Sequence, residues 1–88
     1  MELKSGSVVR SKAGHDKGLW FAVLACEGDC VLLANGRQRT LEHPKRKKVI
    51  HIAATNSVLT TEQLCTNRKL KKALAQWNET LSEQGEAT

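Results

Sequence analysis

The chain has 88 residues, with 14 Lys plus Arg against nine Asp plus Glu, for a net charge of +5. A chain of this length buries only about 60–65% of its unfolded surface, so one small domain with a thin core is expected, and a two-domain enzyme or a dinucleotide fold is excluded. The longest apolar run, Leu19 to Cys26, is far short of the ~20 residues of a membrane helix, and Met1-Glu2-Leu3-Lys4-Ser5-Gly6 has no apolar signal core, so a soluble, cytoplasmic protein with no membrane partner is expected, whose basic balance points to nucleic acid.

Ser7–Ser11 is a short β-branched run and predicts the first strand. Ala13-Gly14-His15-Asp16-Lys17-Gly18 follows as a loop with two glycines. Lys12 and Lys17 flank backbone N–H groups that the glycines leave open to a phosphate, and His15 reads as a polar loop residue. Leu19–Cys26 is apolar on both faces, as a central strand is. Alternation places Phe21, Val23 and Ala25 toward the core, leaving Trp20 under the C-terminal tail or exposed. Glu27-Gly28-Asp29 predicts a three-residue hairpin loop, with Cys30–Ala34 as the return strand. Such a loop would set Cys26 opposite Cys30, with Cβ atoms about 4.5–5.5 Å apart. Three cysteines without a secretory segment nevertheless read as buried apolar-like thiols. A disulfide framework, or a metal site with His43, His51 or Cys65, is not expected.

Asn35-Gly36 is a strong signal for a type I′ hairpin, leading into a strand over Arg37–Glu42 that His43-Pro44 ends. Val49–Ile52 is a last short strand. Five short strands joined by tight turns, with no helix between them, predict a mainly β fold: a small five-stranded SH3-like barrel over residues 1–54. Residues 55–88 form a helical C-terminal tail. Its short helix, about 61–66, starts at the capping box Thr60-Thr61-Glu62-Gln63. Its longer helix, about 68–82, is capped by Asn67 and carries the apolar stripe Leu70, Leu74, Trp77 and Leu81. The end is expected to fray.

The charge excess falls in one window. Arg37 to His51 holds six cations (Arg37, Arg39, Lys45, Arg46, Lys47, Lys48) against Glu42, while the flanking segments are neutral. Lys45-Arg46-Lys47-Lys48 reads as a loop whose cations repel one another unless anions are near, so it adds nothing to folding and suits phosphate; Pro44 stiffens it. Arg37 and Arg39, two apart on a strand, would leave one face about 6.5 Å apart and grip neighbouring phosphates with guanidinium forks. Lys71 and Lys72, with Arg68 and Lys69, crowd the start of the long helix. Cations there oppose the macrodipole, so helix stability did not select them, and anion contact is the functional reading. With two Trp, one Phe and no Tyr, recognition is expected to be of backbone and shape rather than of stacked bases. No nucleophile motif or carboxylate pair supports catalysis.

Starting at Val8, VVRSKAGHDKGLWFAVLACEGDCVLLA resembles the KOW motif, with alternating apolar and polar residues and a glycine, Gly18, at the eleventh position. The continuation NGRQRTLEHPKRKKVIH resembles the segment following that motif in short KOW-domain RNA-binding proteins of bacteria, which are akin to KOW-type large-subunit ribosomal proteins of archaea and eukaryotes. The likeness covers about residues 3–52, and TNRKLKKAL resembles the family's C-terminal helix more loosely. Gln38 stands where an apolar residue is common, Asn35 replaces Asp before Gly36, and Trp20 replaces an aliphatic residue. The resemblance implies an SH3-like barrel that binds RNA in the ribosome or in transcription. The expected function is that of an RNA-binding, ribosome-associated or ribosome-maturation factor that contacts structured ribosomal RNA, and with it the ribosome or ribosomal proteins, and that is a monomer when free. Arg37, Arg39 and Lys45 to Lys48 (Lys45, Arg46, Lys47, Lys48) would carry most affinity, with Lys12 and Lys17 flanking and Lys71 and Lys72 extending the site. No catalytic residue, metal or cofactor is expected. A joint change of Arg37, Arg39, Arg46 and Lys47 to Ala is expected to keep the fold and lose binding. The alternative is a protein-interaction module of the transcription or translation machinery.

Overall fold

A computed structural model describes the backbone of residues 3–87 and the side chains of residues 3–77. The strands are β1 (Ser7–Ser11), β2 (Trp20–Glu27), β3 (Cys30–Ala34), β4 (Lys45–Lys48) and β5 (Ile52–Val58), followed by one helix, α1 (Asn67–Ala87). All pairings are antiparallel, in the order β4-β3-β2-β1-β5. The two outer strands, β4 and β5, form no ladder with each other.

The central strand is apolar on both sides because both faces of the sheet are covered. Alternation in β1 sends Val8 to one face and Val9 to the other. Val8 joins Ala22 and Ala34 beneath Leu59, Leu70 and Leu74, so α1 closes that side, with Trp20, Leu24 and Trp77 at its margin. The Trp20 and Trp77 rings lie 6.3 Å apart at a tilt of 36°. Of the two placements expected for Trp20, the structure shows the one against the tail. Val9 joins Phe21, Val23, Val31, Leu33 and Ile52, flanked by Leu3, Leu19 and Ala54. Among the described residues no helix side chain packs on this second cluster, yet Phe21, Val23 and Leu33 are fully buried. The sheet must therefore curl around it.

Several elements depart from expectation. Ala25 does not reach the core. The register slips between Val23 and Ala25, and such a bulge interrupts the alternation that sequence counting assumes. The β2–β3 turn has two residues, since Glu27 pairs with Cys30 and Cys26 with Val31. Gly28 has φ +62° and Asp29 does not have positive φ, which fits a type II′ turn. Cys26 is thus not opposite Cys30, and all three thiols are free; Cys30 is buried, whereas Cys26 and Cys65 are exposed. Residues 61–66 form turns and bends instead of a short helix. The capping box still forms there: the Thr60 N–H donates to Gln63 Oε1 at 2.8 Å, and the Gln63 N–H to Thr60 Oγ1 at 3.2 Å.

Strand β5 runs through the boundary expected after residue 54, and Val49–His51 is a 3-10 turn where a strand was expected. Helix α1 is longer than the predicted 68–82, and its cap is Thr66: the Thr66 carbonyl accepts from Leu70 at 2.9 Å and Thr66 Oγ1 accepts from Lys69 at 3.1 Å. Leu81, the last residue of the expected stripe, lies outside the described side chains.

Candidate nucleic-acid interface

The basic run Lys45–Lys48 is a strand, not a loop. Its register against β3 pairs Lys47 with Val31 and Lys45 with Leu33, two residues of the inner cluster. Arg46 and Lys48 lie opposite Leu32 and Cys30 and so face the other way. Lys47 is only 8% exposed, which a lone ammonium would not tolerate. It is held by Asp16, with Nζ 2.7 Å from Oδ1, and it donates to the Ala13 carbonyl at 2.9 Å. The Ser11 hydroxyl also donates to Asp16 Oδ1, at 2.8 Å, and Lys45 Nζ lies 3.6 Å from Oδ2. Burial alone would raise the Asp16 pKa. The hydrogen bonds from Lys47 and Ser11 and the charges of Lys47 and Lys45 together outweigh it, and the carboxyl titrates below the usual aspartate range. Two of the four cations thus fasten the 12–19 loop to the edge strand, which corrects the expectation that the run adds nothing to folding.

Arg37 and Arg39 are on a loop, not a strand. The cause is Asn35. Its buried side chain accepts the N–H groups of Arg37 and Arg39, both at 3.0 Å, and donates to Gln38 Oε1 at 2.9 Å. The N–H groups of Asn35 and Gly36 both donate to the Arg39 carbonyl, at 2.8 and 2.9 Å. Asparagine thereby gives the backbone an alternative to the ladder. Asn35 does not have positive φ, so the expected type I′ turn is absent. Gln38, where the resembled family has an apolar residue, is exposed and serves this loop instead of the core.

The same loop docks on the start of α1. Asn67 Oδ1 accepts from the Leu41 N–H at 2.7 Å, and Asn67 Nδ2 donates to Glu42 Oε1 at 2.8 Å. Chiefly through that hydrogen bond, the exposed Glu42 carboxyl also titrates low. Gly36, with φ +77°, lies directly against the Asn67 carbonyl and the Lys71 backbone. Two basic segments separated by some thirty residues of chain are thus joined: Arg37 and Arg39 on the loop, and Lys71 on the helix turn against it.

Lys12, Lys17, Arg37, Arg39, Lys48, Arg68, Lys71 and Lys72 are all exposed, and none has a carboxylate partner among the described residues. Arg46 lies 3.7 Å from Glu27, and Lys69 3.8 Å from Glu62; both pairs are exposed and therefore weak. Sequence reasoning missed Asp16, Asn35 and Asn67 as organisers of the site. Asp16 gave one signal, as the only acid in a loop between two lysines. Among the described residues no group of His, Cys, Asp and Glu could hold a metal ion, and no helix is long and apolar enough to cross a membrane. Compared with known proteins, the chain matches no family model and no curated protein.

Proposed function

We propose that the protein binds structured RNA through the phosphate backbone, as a ribosome-associated or ribosome-maturation factor with its sheet coiled into a KOW-type SH3-like barrel. One observation carries this reading. The fold uses Lys45 and Lys47 internally and leaves Arg37, Arg39, Lys48, Lys71 and Lys72 exposed with no carboxylate partner among the described residues. Unpaired cations repel one another and do not stabilise a fold. They lower the free energy only when an outside anion meets them. The Arg37–Arg39 loop is held by Asn35 and by α1, so its guanidinium groups start from a fixed backbone and lose less entropy on binding. Lys47 does not belong to this surface, and Arg46 is shared with Glu27.

The test replaces Arg37, Arg39, Lys71 and Lys72 with Ala and leaves Lys47 in place. The folded variant is expected to lose most of its affinity for a structured ribosomal RNA fragment. Wild-type affinity should fall with salt at a log–log slope of about −3 to −4, the value for roughly four phosphate contacts. Undiminished affinity in the folded variant, or a flat salt response, refutes the proposal. Crosslinking in cells followed by sequencing of the bound RNA identifies the partner and separates this reading from a protein-interaction module.

A further inference from the structure

The turn between β4 and β5 presents an apolar tip. Ile50 is 72% exposed and Val49 37%, and Ile50 is the most exposed large apolar side chain among the described residues. Turns usually take Gly, Pro, Asn, Asp or Ser, and Val49-Ile50-His51 has none of them. The tip is a fixed projection. The Val49 N–H donates to the Asp29 carbonyl at 2.8 Å, the Lys12 N–H donates to the His51 carbonyl at 2.8 Å, and the Ile52 N–H closes the turn on the Val49 carbonyl. Cations flank it. Lys48 precedes it in the chain, and Lys12 is tied to it through His51; both are exposed, and neither has a carboxylate partner among the described residues. The neighbouring β2–β3 turn carries two acids: Glu27 lies 3.7 Å from Arg46, and the Asp29 carboxylate accepts from the Cys30 thiol at 3.6 Å.

We propose that Ile50 is an apolar wedge that packs against an unstacked base of the RNA whose phosphates lie on Lys48 and Lys12. This rests on the RNA-binding reading above and adds a preference to it. An exposed alkyl group on a turn whose backbone adjoins Lys48 and Lys12 fits a ligand that offers an apolar face close to an anion. A nucleic acid strand offers that combination wherever a base leaves the stack, and aliphatic side chains are used as such wedges. A continuous helix hides its base faces, so the tip selects a bulge, loop or helix end. Phosphate contacts alone make no such selection.

The experiment compares two RNAs of equal length and charge, a continuous stem and the same stem with a bulged fluorescent adenine analogue. The full chain is tested as wild type, Ile50→Ala and Ile50→Leu. Wild type is expected to prefer the bulged stem and to change the analogue's fluorescence. Ile50→Ala should weaken bulged-stem binding about fivefold, abolish the fluorescence change and leave continuous-stem affinity and salt slope as they were, while Ile50→Leu keeps the preference. Equal affinity of wild type and Ile50→Ala for both RNAs overturns the wedge and leaves the phosphate surface standing. Binding of wild type to neither RNA at low salt overturns both. Ile50-dependent binding to phosphatidylglycerol vesicles, with no effect on RNA, overturns the wedge in favour of a lipid surface.

Discussion

Lys47 and Lys48 are neighbours in a run of four cations, and the structure turns them to opposite faces, Lys47 buried and Lys48 exposed. Replacing Lys47 with Met keeps the alkyl stem and removes the charge, so the change reports on the ion pair and not on a cavity. It leaves Asp16 buried without its 2.7 Å partner and the Ala13 carbonyl with the Ser11 hydroxyl, at 3.0 Å, in place of two donors. Breaking a buried pair from one side costs about 3–5 kcal/mol. Some relief comes from Lys45, still 3.6 Å from the other oxygen, and from the slight exposure of both partners, which brings the expectation to about 2–3 kcal/mol. For a domain of this size that is a drop of about 10–20 °C in Tm. Lys48→Met is expected to cost less than about 0.5 kcal/mol and to weaken RNA binding instead. Asp16→Asn combined with Lys47→Met should recover part of the loss, because no uncompensated charge remains. Thermal and urea unfolding followed by circular dichroism measure all three. Lys47→Met within about 0.5 kcal/mol of wild type, the size of an ordinary surface change, would refute the reasoning, as would an equal cost for Lys48→Met.

Because the Asp16 pKa is lowered on folding, its stabilisation is complete above the unfolded-state value and is lost as pH falls through the folded one. Tm should therefore decline as pH drops below about 4, and Asp16→Asn should flatten that decline; parallel curves would contradict the assignment. Gly36→Ala is expected to cost about 3 kcal/mol or more, since the new Cβ would run into the Asn67 carbonyl at a φ of +77°. Gly28→Ala, with positive φ but nothing within 4 Å, should cost only about 1 kcal/mol, and similar losses at both glycines would argue against tight docking of the loop on α1. Asn67→Ala removes the partner of the Leu41 N–H and should cost about 1–2 kcal/mol. It should also return the Glu42 carboxyl toward its ordinary range, which an NMR titration would show.

Local pattern was enough for β1, for β2 to within a residue and for β3, because β-branched and apolar runs bounded by Gly and Asp need no distant partner to be read. It was also enough for the existence of α1, whose stripe Leu70, Leu74 and Trp77 follows the helical period. Among the elements that were misread, some turned on a distant side chain and one on a bulge. Asn35 captured the amides of Arg37 and Arg39 and turned a predicted strand into a loop. Asp16, thirty-one residues from Lys47, made it possible for a run of cations to form an edge strand. The bulge between Val23 and Ala25 changed which residues face inward. Asn67 served the 35–42 loop and left the cap to Thr66.

The charge of +5 and its placement between Arg37 and His51 are properties of the sequence, and they alone point to an anionic partner. Which of those cations are free to meet it is not written in the run Lys45-Arg46-Lys47-Lys48. That depends on the strand alternating its side chains between two faces, and on a carboxylate waiting on one of them. Burial makes the difference: an ammonium taken out of water must be paired, so Lys47 is committed to Asp16. Lys48, Arg37 and Arg39 remain in solvent, where a phosphate can reach them.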